Sequence, residues 1–423
     1  MDSVLVPLLL RALEKCLGVE GVCLCGEPDV TRATPGVQGF LSVVQRVKVH
    51  YRVGDKEGRK ILVLKRFPLS EMLVEFSRRS GIFVREGLFF DSVVPLMKKS
   101  VPRLPLPECY LASYAGSSDA IFMEDLSEGG FRTPEAKFLT EGMDWSHCCI
   151  TMEKLGVLHG AAIAAEKALY QATGTGWAQA FPVFSQEVCY YETVPGVPPS
   201  PLTGVFQNAI RTIIELSKEI EGIPKEILTD KLEVALAGLW PMLCKLVRPD
   251  PEGCNILNHG DCWMNNIMFS YDEKGQPLDA KFIDFQVSRY CHPSIDILYF
   301  MHLSTTKSLR DSHLDELLQV YHHSLMKTLG SAAKEPISLD QLRADIKEDY
   351  GKFGVIIGAI MIPFFMLGKD FMGEAPSEET VDELLKTGNA ESIRERFHSD
   401  KLFRSRMEEV ILELFQMLFP KDK

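Results

Sequence analysis

An aspartate and an asparagine stand five positions apart in the segment "HGDCWMNN", residues 259–266, which then runs into an apolar stretch. As a carboxylate, Asp261 can accept a proton, whereas Asn266 offers an amide oxygen that can bind a cation. A second acid, Asp284, ends the apolar segment "KFID" further along the chain. Such oxygen donors suit Mg²⁺, which takes one or two protein carboxylates and completes its octahedron with phosphate and water. We therefore predict Asn266 and Asp284 as metal ligands and Asp261 as the proton acceptor.

The chain between these residues predicts a β-hairpin that brings them together. "IMFSY" is typical of a strand, "DEKGQPL" carries turn residues, and "DAKFIDF" is typical of the returning strand. If the hairpin folds about Gly275, Asn266 and Asp284 each lie nine residues from the turn (275 − 266 and 284 − 275). Paired positions of an antiparallel ladder lie about 5 Å apart at Cα, so we expect the amide and the carboxylate to meet.

The order Asp-x-x-x-x-Asn, hairpin, Asp-Phe is typical of kinase-like phosphotransferases. In that chemistry the first aspartate orients or deprotonates the nucleophile, while the asparagine and the second aspartate hold the metal ions. The alternative interpretation of the same residues is a polar turn beside a solvent-facing hairpin.

Residues nearer the N-terminus could complete such a site. Lys65 ends the apolar run "ILVL", and Glu86 lies on the following helix, far enough along the chain to reach back and pair with it. A Lys–Glu pair at the ATP phosphates belongs to the same machinery, although Lys65 alone would also fit a solvated strand end. In "GVQGFLS", which ends at Ser42, Gly36 and Gly39 would let the backbone approach phosphates. A plain turn is the alternative for that segment.

Other polar residues are predicted to support the site. We interpret His259 as a hydrogen-bonded support of the loop rather than a base, and His159 as a satisfied core histidine. Asp296, in the apolar "HPSIDILYF", needs partners because burial penalises an unpaired carboxylate. It either braces the catalytic loop or caps a helix. In the connector "MEDL", the backbone from Glu124 to Leu126 would offer donors and acceptors to adenine.

The elements that must position these residues are of two kinds. Alternating residues from Val43 to Val53 predict a half-buried antiparallel strand, with "GDKEG" as the turn and "ILVLKRF" as the returning strand. A helix from about Val74 is predicted to end at Pro95, and helical periodicity dominates the later chain. The sequence thus predicts an α+β, two-lobed protein-kinase-like fold. Its parts are a small antiparallel-sheet N-terminal lobe (1–123), a hinge (124–127) and a large helical C-terminal lobe with the catalytic loop and acceptor pocket (128–423).

Composition narrows the function further. The 423 residues are 46% hydrophobic and 25% charged, an ordinary globular mixture. A formal net charge of −12 without long basic runs argues against nucleic acid as a partner. Eleven cysteines without a recognisable framework indicate free thiols in a reducing cytosol, so we expect a cytoplasmic protein.

Two apolar segments could be mistaken for membrane signals. The start, "MDSVLVPLLLRALEKC", lacks a basic region and a cleavage site, so it favours an amphipathic helix over a signal peptide. The segment 353–368, "FGVIIGAIMIPFFMLG", is shorter than the ~20 residues that a span requires. We expect it to be a buried helix, bent or broken at Pro363, and we expect no membrane span.

The substrate is predicted to be small. Only 12 positions separate Asp284 from Asp296 (296 − 284), no Ala-Pro-Glu lies between them, and Gln286 stands where protein kinases have glycine. A peptide platform has no room there, so we expect a small molecule with a hydroxyl group, bound by the helical lobe.

At this point the chain resembles a known family. "HGDCWMNNIMF" and "FIDFQ", with "FMEDL" upstream and "SIDILYF" downstream, are similar to the ecdysteroid kinase-like family of insects and other arthropods. That family belongs with the choline kinases and aminoglycoside phosphotransferases, which share a protein-kinase-like fold. The resemblance covers most of the chain. It implies Asp261 as catalytic base, Asn266 and Asp284 as magnesium ligands, and Lys65 with Glu86 at the phosphates.

These observations predict an ATP- and Mg²⁺-dependent small-molecule O-phosphotransferase whose acceptor is an ecdysteroid or a similar apolar alcohol. One alternative is a choline- or aminoglycoside-type kinase, whose cationic substrate would prefer an acidic pocket or an aromatic cage. Another is a catalytically inactive relative that binds nucleotide, although the intact site residues argue against it.

Overall fold

An antiparallel sheet dominates the first part of the computed structural model, which describes residues 4–33, 42–67, 71–114, 116, 119–200, 202–330, 334–372 and 390–420. Strands follow the order β1-β3-β4-β6-β5, and β2 also pairs with β3. The strands are β1 (Cys23–Leu24), β2 (Asp29–Arg32), β3 (Val43–Val53), β4 (Lys56–Arg66), β5 (Cys109–Ser113) and β6 (Ala120–Glu124).

The central hairpin of this sheet begins with the strand that alternation predicts, Val43–Val53. Its turn is shorter than expected, because Val53 already pairs with Lys56 and the five-residue turn "GDKEG" is therefore wrong. Gly54 takes a positive φ of 58°, which lets two residues reverse the chain. The returning strand, β4, therefore begins at Lys56, five residues before the predicted start at Ile61 (61 − 56).

One face of the sheet is covered by helix α1 (Val6–Leu17). Leu9 and Leu13 of this helix are fully buried against Val47, Leu62 and other inward residues of the strands. Successive strand residues point to opposite faces, so Val63 and Lys65 are turned away from α1. The packing of α1 therefore fixes which residues of β4 face the rest of the chain.

Three helices follow this hairpin: α2 (Glu71–Ser80), α3 (Ile82–Leu88) and α4 (Val94–Ser100), with a π-helical turn, Phe89–Val93, between the last two. The predicted end of the helix at Pro95 is wrong. Pro95 stands in the first turn of α4, where a backbone N–H has no helical partner to lose, so the helix continues through it. Helical backbone therefore extends five residues past the proline.

The rest of the chain is mainly helical, with two short two-stranded sheets. The helices are α5 (Phe138–Glu141), α6 (Trp145–Thr173), α7 (Trp177–Ala180), α8 (Leu202–Ser217), α9 (Asp230–Ala237), α10 (Leu239–Leu246), α11 (Ser294–Ser304), α12 (Lys307–Leu329), α13 (Leu339–Asp345), α14 (Gly351–Met372), α15 (Ala390–Ser399) and α16 (Lys401–Leu418). The strands are β7 (Ile256–Asn258), β8 (Ile267–Tyr271), β9 (Pro277–Phe282) and β10 (Arg289–Cys291). An antiparallel sheet followed by a large helical part confirms the predicted α+β class.

Helices α6 and α12 pack closely because two glycines remove side chains from their contact. A Cβ at Gly156 would lie 2.4 Å from the carbonyl oxygen of Tyr321, and one at Gly160 would lie 2.8 Å from the Cβ of Thr328. The two glycines stand four positions apart and therefore lie on one face of α6. This face brings the buried His159 next to α12.

Helix α14 contains Pro363 and continues through it, so of the two predicted outcomes, a bend or a break, the break is wrong. Phe353, Ile356 and Ile362 are fully buried along it. By length and composition alone, two helical stretches of the described chain could cross a membrane, Trp145–Thr173 and Leu339–Met366, and 61% of the apolar window in each is buried within the protein.

Candidate active site

The hairpin of β8 and β9 is present, with a register one residue from the predicted one. Ile267 pairs with Phe282, and the backbone N–H of Ile283 donates to the carbonyl of Asn266 at 2.9 Å. The expected pairing of Asn266 with Asp284 is therefore wrong. The turn is centred one residue before the predicted Gly275, since Tyr271 pairs with Pro277. A bulge then adds Leu278 to β9 before Ser270 pairs with Asp279, and strand periodicity reveals neither feature.

Asp284 leaves the ladder just beyond the end of β9. Its φ of 70° places it in the left-handed region, and it is the one non-glycine residue of the described chain with a positive φ. Aspartate tolerates this region better than most residues, at a small energetic cost. The chain thereby turns sharply after β9, and the Asp284 carboxylate reaches the sheet of the first lobe, where Oδ1 accepts from Nζ of Lys65 at 2.7 Å.

Lys65 and Glu86 form the pair that their positions predict, with Nζ and Oε2 2.6 Å apart. Both side chains are almost fully buried, and the backbone N–H of Phe285 donates to Oε1 of Glu86 at 3.2 Å. Burial opposes the charge of Lys65, but the carboxylates of Asp284 and Glu86 outweigh it and raise the pKa of the ammonium to about 12. Lys65 is therefore a fixed positive charge held between two lobes.

The loop 259–266 places Asp261 and Asn266 in direct contact. The amide nitrogen of Asn266 donates to Oδ2 of Asp261 at 2.8 Å and to its backbone carbonyl at 2.9 Å. Burial, followed by the nearby charge of Asp284, raises the pKa of the Asp261 carboxyl above its ordinary value. A raised pKa makes a carboxylate a better proton acceptor near neutral pH.

Asp296 holds this loop through two backbone contacts. Its Oδ2 accepts from the N–H of His259 at 2.6 Å, and its Oδ1 accepts from the N–H of Gly260 at 2.8 Å. Helix α11 begins at Ser294, so Asp296 is not its N-cap. Burial opposes ionisation of Asp296, yet hydrogen bonding and the charge of His159 hold its pKa below the ordinary value. These are the contacts expected of a brace.

The two histidines near this aspartate make the supporting contacts expected of them. His259 is fully buried; its Nδ1 lies 3.2 Å from the N–H of Asp261 and its Nε2 lies 2.9 Å from the carbonyl of Ile283. Because Nδ1 accepts there, the proton belongs on Nε2. His159 bridges Tyr321, at 2.8 Å, and Asp296, at 3.1 Å.

At the predicted hinge, the side chain of Glu124 ties the segment to both lobes. Oε2 of Glu124 accepts from Nζ of Lys281 on β9 at 3.0 Å and from the N–H of Glu108 at 3.1 Å. Leu126 is buried and begins a 3₁₀ turn, Leu126–Gly129. The side chain of Glu124 is thus engaged with protein groups, which leaves the backbone as the part of this segment that could meet a base.

Part of the predicted phosphate-binding segment lies outside the described residues, namely Gly36 and Gly39. Ser42, at the end of that segment, is buried next to the start of β3. Its role at the phosphates remains a prediction.

The donor set fits a magnesium ion. Because the nitrogen of the Asn266 amide faces Asp261, its oxygen is directed away from that carboxylate. Asp284 uses Oδ1 for Lys65, so Oδ2 is the oxygen that would reach a cation. One carboxylate and one amide oxygen are what Mg²⁺ requires when phosphate and water supply its remaining ligands. Among the described residues no group of three or more His, Cys, Asp or Glu could hold another metal ion.

Several residues around the site were not identified by sequence reasoning. Asp125 is buried, accepts from Nε of Arg46 at 2.7 Å and from the N–H of Ser127 at 3.0 Å, and so caps the hinge turn. The pattern Asp-Leu-Ser before a turn is a recognisable signal of such a cap. The contact with Arg46, by contrast, joins residues distant in the chain and has no local signature.

Gly260 is required by the packing of the loop. Its φ is 88°, and a Cβ there would lie 2.1 Å from the carbonyl oxygen of Val287. The glycine of "HGD" is therefore required for steric reasons, which the sequence alone did not reveal. Any side chain at this position would push Asp261 away from the segment that follows Asp284.

Fold and site together define a class of protein: a kinase whose two lobes hold a lysine, two aspartates and an asparagine at one crevice. Residues 36–333, more than half of the chain, match the ecdysteroid kinase-like family. The chain belongs to the ecdysteroid kinase-like family and is a small-molecule kinase.

Comparison with individual proteins adds little detail. No curated protein matches the chain. Among the solved structures that match is that of the microcompartment-associated aminopropanol kinase, with 13% sequence identity, a TM-score of 0.37, and coverage of 96% of this chain and 99% of that one.

Proposed function

We propose that this protein transfers the γ-phosphate of ATP, bound with Mg²⁺, to a hydroxyl group of an ecdysteroid or a similar apolar alcohol. One observation carries the proposal: Lys65 meets Asp284 across the crevice, while the Asn266 amide beside it holds Asp261. Phosphoryl transfer depends mainly on positioning and on charge stabilisation, and this arrangement supplies groups for both.

Each side chain has a distinct task in the proposed reaction. Lys65, kept charged and fixed by Glu86, would bind phosphate oxygens of the nucleotide. Asp261 would accept the proton of the acceptor hydroxyl, a contribution of about 10²- to 10⁴-fold for a positioned base. Asn266 and Asp284 would hold Mg²⁺, which would supply positive charge to neutralise the phosphates.

The surroundings of Asp261 support a neutral acceptor. The Tyr299 hydroxyl lies beside both Asp261 and the hydroxyl of Tyr190. Burial raises the pKa of the nearby Cys189 thiol to about 12, so this group is neutral as well. Besides Asp284, which is assigned to the metal, Asp261 thus has uncharged hydroxyl and thiol groups among its neighbours, and these suit an uncharged alcohol better than a cation.

Beyond Tyr190 the chain supports an apolar substrate. Tyr190 borders a cavity lined by apolar side chains of α8, α10 and α14, among them Phe206, Trp240, Ile357 and Met361. The ring of Tyr190 lies 6.1 Å from that of Trp240. The space among these side chains is about 220 Å³, less than the roughly 300–1,000 Å³ of typical ligand sites, so the apolar character of the walls and not their size favours an apolar acceptor.

A γ-phosphate transfer assay tests the proposal. Purified protein would be given Mg²⁺, radiolabelled ATP and separate acceptors: an ecdysteroid, other sterols, plant alcohols, choline and an aminoglycoside. We expect labelled product with the ecdysteroid or another apolar alcohol. Transfer to choline or the aminoglycoside alone would identify a kinase for cationic substrates instead. Nucleotide binding without transfer to any acceptor would support the inactive, nucleotide-binding alternative.

The same proposal includes location and partners. All eleven cysteines are free thiols, which supports a reducing, cytoplasmic environment. The partial burial of the two long apolar helices supports a protein without a membrane span. A formal net charge of −12 supports partners other than nucleic acid.

A further inference from the structure

Arg85 stands next to Glu86 on α3 and reaches into the helical lobe. Its side chain is buried, with 1% of its surface exposed. Nη1 donates to the backbone carbonyl of Ser288 at 2.6 Å, and Nη2 donates to that of Gln186 at 2.8 Å. One guanidinium thus joins a helix of the first lobe to two separate segments of the second.

Both acceptor segments are themselves rigidly held. Oε1 of Glu187 accepts three successive backbone N–H groups, from Val188 at 3.1 Å, Cys189 at 2.8 Å and Tyr190 at 3.0 Å. Its Oε2 lies 3.2 Å from Nη1 of Arg289, a buried residue just after Ser288. Glu187 therefore pairs with Arg289, offsets part of the charge of Arg85 and holds the turn that follows the carbonyl to which Arg85 donates.

Helix α3 and the π-helical turn that follows it are attached to the segment after Asp284 at three points. Arg85 binds Ser288, Glu86 binds the N–H of Phe285, and the Phe89 ring stacks on the Phe285 ring with centroids 4.1 Å apart and planes 7° apart. Of the three residues that make these contacts, only Arg85 also binds the 186–190 turn. Movement of α3 away from the helical lobe would break all three and would carry Glu86 away from Asp284.

We propose that Arg85 is a positioning residue for phosphoryl transfer, which locks α3 against the helical lobe so that Glu86 holds Lys65 beside Asp284 before nucleotide arrives. This inference rests on the proposed function. Arg85 itself touches none of the groups assigned to ATP or the acceptor, and it acts through Glu86 and Lys65. A preformed site of this kind saves the cost of ordering its groups on binding.

Replacement of Arg85 by Met tests the inference, since Met fills a similar length without donors or charge. We expect kcat/KM for ATP to fall by roughly 100-fold, as a displacement of about 1 Å can cause. Much of the loss should be a higher KM for ATP, with a smaller change in KM for the acceptor. Arg85→Lys keeps the charge and a donor, so it should recover part of the loss.

A matched control is Arg406→Met. Arg406 is also a buried arginine, 3% exposed, and it donates to the carbonyls of Thr305 at 2.6 Å and His302 at 3.3 Å within the helical lobe. Loss of a buried guanidinium should lower the melting temperature of both Met variants. A lower active fraction reduces apparent kcat alone, so KM for ATP should rise in Arg85→Met and stay constant in Arg406→Met.

The outcomes separate this inference from the proposed function. Calorimetric titration of the wild type with Mg²⁺ and ATP tests the proposed function. If the wild type binds no nucleotide, the proposed function is wrong. If the wild type binds ATP and both Arg85 variants keep its KM for ATP, the positioning role is wrong. Should Arg85→Met fail to fold, the KM for ATP of Arg85→Lys decides the inference alone: an unchanged value overturns it, and a several-fold increase supports it.

Discussion

Lys65 is shared by two carboxylates, at 2.6 Å from Glu86 and 2.7 Å from Asp284. With Asp261 nearby, these four side chains amount to one positive charge against three acidic groups. Such an excess of negative charge in a partly buried crevice attracts a divalent cation and is neutralised by it. The charges of the site thus support the proposed metal–nucleotide complex.

Replacement of Asp284 by Ala removes a proposed magnesium ligand and one partner of Lys65. We expect the affinity for ATP in the presence of Mg²⁺ to fall by more than the roughly 10- to 100-fold that loss of an outer partner of a metal ligand costs. Calorimetric titration with ATP and Mg²⁺ measures the change. Asp279→Ala, on the same hairpin and paired with Lys154 at the surface, is the control and should bind nucleotide normally. Normal binding by Asp284→Ala would contradict the metal assignment.

Replacement of Asp261 by Asn separates binding from transfer. The new amide oxygen can still accept from Asn266, so the loop should keep its shape, but the proton acceptor is lost. We expect kcat to fall by about 10²- to 10⁴-fold while nucleotide affinity is retained. A transfer assay and a binding titration on the same preparation measure both, and wild-type kcat in this variant would show that Asp261 is not the base.

At the scale of residues, the sequence predicts the residues of the site well where they belong to a short local motif. Asp261 and Asn266 stand in one short segment, and their contact follows from its compact turn. Arg85 and Tyr299 have no such signal, because their contacts join residues far apart in the chain. Long-range partners of this kind are fixed by the packing of whole elements, which a single sequence does not contain.

At the scale of elements, the strands predicted from alternation are close to those observed, whereas their register is less predictable. The β8–β9 register differs by one residue because the turn is centred at residue 274 and not at 275, and a bulge at Leu278 offsets half of the resulting two-residue shift. Hydrophobic periodicity indicates which face of a sheet a residue occupies. It does not indicate which residue pairs with it on the neighbouring strand, so it does not reveal a bulge that shifts the pairing. Proline has a similar ambiguity, since Pro95 begins a helix in one context and would end it in another.

The contact of α6 with α12 depends on Gly156. In a Gly156→Ala variant the new methyl would lie 2.4 Å from a backbone oxygen of α12, so the helices must separate. The gain in helix propensity offsets part of the strain, and we expect the free energy of unfolding to fall by about 1–2 kcal/mol. Urea unfolding followed by circular dichroism measures the change.

The control for that variant is Gly238→Ala. Gly238 has a φ of −73°, and the nearest atom to an added Cβ is 3.4 Å away, an ordinary contact. Its stability should stay within about 0.5 kcal/mol of the wild type, as is usual for substitutions without a packing conflict. Equal stabilities of the two variants would show that α6 and α12 adjust without cost.

On the scale of the whole molecule, a buried polar cluster fastens the C-terminal helix to the helical lobe. Arg310 of α12 and Arg406 of α16 both donate to the carbonyl of Thr305, at 3.0 and 2.6 Å, and Arg310 pairs with Glu413. His302 of α11 lies among these groups, with Nδ1 4.0 Å from Glu413. The last helix therefore depends on charged groups as well as on its apolar face.

His302 should make stability fall in mild acid. Burial, and then the charges of Arg310, Arg406 and Lys307, lower its pKa well below the ordinary value of 6.5. In the unfolded chain His302 takes up a proton below that value, and in the folded chain it does not. Stability is therefore complete above pH 6.5 and is lost as the pH falls, by about 1.4 kcal/mol per pH unit.

Urea unfolding at pH 7.5 and 5.5 measures this effect against a His302→Gln variant. Other groups also titrate in that interval, and comparison with the variant removes their contribution. The wild type should lose about 1.4 kcal/mol more than the variant between the two pH values. An equal loss in both proteins would show that His302 is protonated in the folded state.

The left-handed backbone of Asp284 limits how this position can change over evolutionary time. Glycine and asparagine fit a φ of 70° with little strain, whereas a β-branched residue such as valine would destabilise the turn as well as remove the acid. Relatives that have abandoned catalysis through this site should therefore carry glycine or asparagine there. Such pseudoenzymes would keep a folded crevice, and they could be recognised in a set of homologous sequences by that single substitution.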